Sequence, residues 1–178
     1  MKKIFILLCF ILSLSFTVTA FASEEETENI VLMEVPADEE PIDGPFDKLV
    51  QVNEFTKGSS KPNSSDVKNL KTISKYSFNF QCLYGVSCYS AYNFTGVTDM
   101  ALKINASSDV AGKNSLDYTV KIYERKSLSD KCVGTFKRNT ATDHKTIMKI
   151  LGVNSNKKYY FKVYGNQSFS GSGYIKKG

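Results

Sequence analysis

The sequence predicts an all-β protein, a single antiparallel β-sandwich of seven or eight strands preceded by a disordered acidic segment. Three observations carry this expectation. Beyond residue 70, apolar side chains recur at every second position, the period of a strand with one face on a core. Turn-forming residues interrupt that rhythm at short intervals. No stretch combines a helical period with capping residues.

Taken in chain order, residues 1–22 begin with Lys2 and Lys3, continue through an apolar run from Ile4 to Phe16, and end on Ala20-Phe21-Ala22. A basic start, a short apolar core and a small-x-small end describe a secretory signal peptide. The core is too short to span about 30 Å of hydrocarbon, and no second apolar segment reaches spanning length. The mature chain is therefore expected outside the membrane, with no transmembrane segment. Only two of the 23 basic residues are Arg, Asn is abundant, and the chain opens Met-Lys-Lys, a usage that points to a low-GC Gram-positive bacterium.

The charge is divided. Residues 24–47 hold ten acids and no base, whereas residues 51–178 hold 20 bases against 8 acids, a net of +12, so the overall +5 conceals two opposite bodies. Pro36, Pro41 and Pro45 interrupt the acidic part, whose single apolar cluster is Ile30 to Met33. Residues 23–48 thus read as an acidic leader with too little apolar surface to offset its ordering entropy. It is expected to solubilise the chain or to mask the cationic body as a propeptide. Residues 49–70 read as a polar linker, rich in Gly, Ser, Pro, Asn and Lys, with a short edge strand expected at Leu49 to Phe55.

The sandwich domain is assigned to residues 71–178. Tyr76, Phe78, Phe80 and Cys82 form one apolar row, Met100, Leu102 and Ile104 a second, Tyr118, Val120 and Ile122 a third, and Tyr159, Phe161 and Val163 a fourth. Weaker strands are expected at Tyr89 to Phe94, Lys131 to Lys137, Lys145 to Leu151 and Gly173 to Lys176.

The C-terminal residues carry a resemblance. Ile147 to Leu151, then Tyr159, Tyr160 and Val163, then Gly165, and finally Gly171, Gly173, Tyr174 and Ile175 follow one another as strand, turn, Tyr-Tyr-x-x-Val strand, turn and Gly-x-Tyr-x-aliphatic strand. This order resembles the end of the small jelly-roll accessory domains of secreted bacterial proteins, the pre-peptidase C-terminal type. The resemblance implies a jelly-roll-like sandwich and a non-catalytic secreted module that helps a protein bind or persist at the cell surface.

Motifs for chemistry are sparse. The single His, His144, lies in the polar turn Thr142-Asp143-His144-Lys145. Cys132 and His144 make one nucleophile–base pair, but no strained turn, oxyanion loop or orienting motif accompanies them. Asp99, Asp109 and Asp117 are isolated by turns, and no phosphate-binding loop, dinucleotide fingerprint, zinc spacing or EF-hand is present. No catalytic residue, metal ligand or cofactor is expected. Cys9 falls within the signal peptide, leaving Cys82, Cys88 and Cys132. Export favours oxidation, with Cys82–Cys88 the favoured pair and Cys132 to either partner the alternative.

The basic surface carries the functional expectation. Lys103, Lys121 and Lys162 fall on the solvent rows of three strands, and Tyr160 and Tyr164 flank Lys162 on the same row. Interleaved Lys and Tyr attract an anion and stack on a sugar ring or apolar group. The expected ligand is an anionic cell-wall polymer, a glycan or a membrane surface. A chain this poor in Arg does not read as a sequence-specific nucleic-acid binder. The function expected is that of a secreted, non-catalytic binding module for the cell envelope or a host surface. Two alternatives stand beside it: a cationic effector of the antimicrobial or bacteriocin-like kind made with an acidic propeptide, and an accessory or inhibitor protein acting by contact.

Overall fold

The computed structural model describes residues 29–37, 47–48, 50–51 and 61–178. The expected signal peptide and the remainder of the acidic leader and linker lie outside the described residues. Within them the chain is all-β, with thirteen strand segments in two sheets and one 3-10 turn at Asp143–Lys145.

The first sheet holds Val31–Pro36 (β1), Asp47–Lys48 (β2), Tyr76–Cys82 (β5), Asp99–Ser108 (β8), Thr146–Leu151 (β11) and Phe169–Lys177 (β13), in the order β1-β11-β8-β13-β5-β2. The second runs Lys131–Asn139 (β10), Asp117–Glu124 (β9), Tyr159–Gly165 (β12), Ser87–Tyr89 (β6) and Val50–Gln51 (β3). Two short strands, Val67–Asn69 (β4) and Asn93–Thr95 (β7), pair with each other in parallel, and β7 joins β12. All pairings are antiparallel except β4–β7 and β2–β5.

The alternation seen in the sequence sets which side chains meet. Leu102 and Phe78 from the first sheet, and Val120, Phe161 and Val163 from the second, share one core and are almost wholly buried. Aromatic rings bridge the two layers. Phe161 lies 5.2 Å from Phe78 between ring centroids and Phe169 lies 5.1 Å from Tyr118, while within its own sheet Phe161 stacks on Phe94 at 5.9 Å. Aliphatic and aromatic side chains of this size suit the gap of about 10 Å between two packed sheets.

Two expectations about the N-terminal half are corrected. Part of the acidic leader belongs to the sandwich: β1 pairs along its whole length with β11, from Val31 opposite Leu151 to Pro36 opposite Thr146. An edge strand needs backbone partners more than buried side chains, which its composition does not reveal. The second half of the supposed linker is also ordered on the sandwich. Leu70 is buried, β4 lies against β7, Asn93 donates to the carbonyls of Asn63 and Asp66, and Lys158 donates to that of Ser64. The domain therefore extends N-terminally beyond residue 71. The strand expected at Tyr89 to Phe94 is two strands, separated where Ser90 turns its hydroxyl back onto the Tyr92 carbonyl.

Cys82 and Cys88 are joined by a disulfide, their Cα atoms 5.9 Å apart, which closes the loop between β5 and β6, while Cys132 is free and exposed. A loop this short removes a modest amount of unfolded-state entropy. Reduction is expected to cost about 2 kcal/mol, measurable as a fall in the urea midpoint with and without reductant. An unchanged midpoint would show that the bond does not constrain the unfolded chain.

Candidate functional site

The outer face of the second sheet is built by three central strands. Antiparallel pairing sets Lys162 on β12 between Lys121 on β9 and Tyr89 on β6, sets Tyr160 opposite Tyr123, and sets Tyr164 between Thr119 and Ser87. Side chains directly opposite one another on a sheet sit about 5 Å apart at Cβ. The result is a lattice in which ammonium groups lie against tyrosine rings. Lys162 Nζ is 5.0 Å from the Tyr164 ring centroid and 5.5 Å from that of Tyr89, and Lys121 Nζ is 5.7 Å from that of Tyr164. Hydrogen bonding to Tyr164 holds the Lys121 ammonium above its ordinary pKa.

Tyr160 has a different part from the one its row predicts. It is only 4% exposed, with its ring stacked on Tyr123 at 5.2 Å and lying 6.2 Å from Tyr89. Its hydroxyl donates to Asp130 at 2.9 Å. Burial, followed by the bond to and charge of Asp130, pushes the Tyr160 hydroxyl well above its ordinary pKa. Burial also acts to raise Asp130, but bonds from Lys61, the Lys126 amide and Tyr160 outweigh it and leave the carboxyl below its usual value. Tyr160 is thus a floor that fixes the half-buried Tyr89 and Tyr123, and those two rings were not foreseen. Tyr89 is the one aromatic of β6 and Tyr123 one of two in β9, and only pairing between distant parts of the chain places them beside Lys162.

Lys103 does not belong to this face. It sits on β8 in the other sheet, 4% exposed, and its Nζ donates to the His144 carbonyl at 2.5 Å. The 3-10 turn folds over β8 and covers the row that alternation leaves to solvent. Burial first, then the positive Arg138 nearby, lowers the Lys103 pKa, against the opposite pull of Asp143. Of the five residues expected to bind ligand, the structure brings Lys121, Lys162 and Tyr164 together at the surface, places Tyr160 beneath them, and sends Lys103 elsewhere.

Tyr164 and Thr119 continue from the face into a cleft of about 560 Å³, whose walls also include Lys137, Arg138, Lys145 and Thr146 together with Glu34 and Asp117. Cationic and neutral donors outnumber acids there.

Cys132 stands near the start of β10, and His144 follows its far end. Seven residue steps of strand separate Cys132 from Asn139, about 24 Å, so the nucleophile–base pair is not assembled. Among the described residues no cluster of three or more His, Cys, Asp or Glu is placed to hold a metal, and no helix is long and apolar enough to cross a membrane. Compared with protein-family models, curated proteins and solved structures, the chain matches none.

Proposed function

We propose that the protein is an exported, non-catalytic binding module for an anionic polymer or glycan of the cell envelope or a host surface, engaged by the outer face of its second sheet. The observation that carries this reading is the cross-strand pair Lys121 and Lys162, both set against the Tyr164 ring. Like charges directly opposite on a sheet lower stability. Ring faces offset part of that repulsion, and an anionic group between the two ammoniums would remove the rest. Tyr89 and Tyr164 flank the pair and offer the flat surfaces on which a sugar ring stacks. The sequence resemblance to secreted jelly-roll accessory domains agrees with such a role.

The test is sedimentation of the protein with purified cell walls bearing teichoic acid. The native chain is expected to be retained at low ionic strength and released as salt rises, because exposed charges are screened within about 10 Å at 0.1 M. Lys121→Gln/Lys162→Gln is expected to bind about tenfold more weakly, equivalent to about 1.4 kcal/mol, while Lys149→Gln on the other sheet leaves binding unchanged. Absence of retention at low salt, or equal retention by the double variant, defeats the reading.

A further inference from the structure

The strand contributed by the acidic leader sits in a seam that has the character of a peptide site. β1 pairs with β11 on one side, and its inward side chains reach β10 of the opposite sheet. Ile30 and Leu32 lean on the core. Leu32 fits where Gly134 has no side chain, since a Cβ there would come within 2.8 Å of its methyl group. A bulge in β10 between Cys132 and Gly134 accompanies this slot. Two residues on, the Glu34 carboxylate accepts from Arg138 Nη1 at 2.7 Å and from the Thr146 hydroxyl at 3.4 Å. Arg138 is 5% exposed, its Nη2 donates to the Asp143 carbonyl at 2.8 Å, and its Nε is buried without a hydrogen-bond partner. The seam thus reads an extended segment with aliphatic residues at two alternate positions and a carboxylate at the third.

The segment that fills the seam is held mainly by backbone. None of the β1 residues is buried, and Val31 and Met33 are 49% and 40% exposed. Its tether is short. From Ala37 to Asp47 there are ten residue steps, at most about 35 Å of chain. Those residues adjoin or belong to strands at opposite edges of one six-stranded sheet, five spacings or about 24 Å apart. A short tether favours exchange of a terminal element between copies, because the swapped contacts are the same as those made within one chain.

We propose that this seam is a strand-exchange site, in which residues 30–36 of a second copy of the chain seat on β11 and β10 through the same apolar slot and the same Arg138–Thr146 carboxylate site. Main-chain bonds along the edge of β11 supply the affinity, and the positions of Leu32 and Glu34 supply the register. The proposal does not depend on the Tyr–Lys face.

Disulfide trapping in the full chain tests it, in a Cys132→Ser background that removes the exposed thiol. Met33 lies opposite Lys149, and cross-strand partners are within disulfide reach. A single chain carrying both Met33→Cys and Lys149→Cys is expected to close on itself under mild oxidation, which checks the seat. Chains carrying Met33→Cys mixed with chains carrying Lys149→Cys are expected to give a mixed dimer more than about tenfold over either like-with-like dimer, where random collision gives roughly twofold. Arg138→Met in both chains is expected to lower that yield severalfold. Mixed and like dimers in random proportion, no dimer at all, or a doubly substituted chain that fails to close would each overturn the proposal.

Discussion

Phe161→Ala is expected to destabilise the protein by about 3–5 kcal/mol, a large share of the total for a domain whose net stability is of the order of 5–15 kcal/mol. Phe161 is 1% exposed and stands in the middle of β12, which is itself flanked on both sides by other strands. Its ring meets Phe78 across the gap between the sheets and lies nearly parallel to Phe94 within its own layer, at 12° between planes. Removing it deletes apolar burial and leaves a hole that neighbours on two elements cannot close together. The backbone around the site is pinned, since the Phe161 carbonyl accepts from the Ser90 amide and the Phe161 amide donates to the Ser90 hydroxyl. Collapse into the hole is therefore limited, which puts the cost toward the upper end. Leu128→Ala is the contrast: Leu128 is 99% exposed, and its loss should change stability by less than about 0.5 kcal/mol. Urea unfolding of both variants checks the pair. A loss below that of a single methylene at Phe161 would mean that the two sheets do not share this interior.

The rows that build the core were legible because burial on one face writes itself into the sequence with a period of two. Where a strand carries no such contrast, the rhythm disappears. β13 begins at Phe169, four residues before the expected start at Gly173, because Gly171 and Gly173 contribute no side chain to an alternation. They are nonetheless required, since a Cβ on either would come within 2.3 Å of the carbonyl oxygens of Asn105 and Lys103 on β8. β1 was hidden for another reason: an edge strand with exposed side chains and a carboxylate at Glu34 has the composition of a solvated tail. The site was half legible. Lys162 and Tyr164 share a row of one strand, but Tyr89 and Tyr123 reach them only through pairing across 73 and 37 residues of chain. Lys103 shows the limit in the other direction, because alternation tells which row a side chain joins and not what folds over that row.

Asp143→Ala is expected to cost about 2–5 kcal/mol, because it strands the buried Tyr118 hydroxyl and the partly buried Ala106 amide at once. Asp143 is 2% exposed, and its carboxylate accepts from the Ala106 amide at 2.7 Å and from the Tyr118 hydroxyl at 2.9 Å, tying the 3-10 turn to β8 and β9. Arg138, which bonds the Asp143 main-chain carbonyl and pairs with Glu34, would lose a second negative charge nearby. Asp143→Asn keeps the size and one acceptor and is expected to cost less. Its effect should also depend on pH in a defined direction. Burial, the largest influence, raises the Asp143 pKa above 3.8 even though the bonds from Ala106 and Tyr118 and the charges of Arg138 and His144 pull it down. A carboxyl whose folded pKa is raised binds its proton more tightly folded than unfolded. Its contribution is then fully present below the unfolded pKa and is lost as pH rises through the folded value. The native chain loses this increment on going upward from about pH 4, whereas the Asn variant has none to lose. Asp130, held below its ordinary value, acts with the opposite sign, losing its contribution as pH falls, but it is common to both chains and cancels in the difference. The stability gap between native and Asp143→Asn proteins should therefore be widest at acid pH and narrow toward neutrality, as read from urea midpoints at matched ionic strength. A gap that widens with rising pH would mean that Arg138, rather than burial, governs this carboxyl.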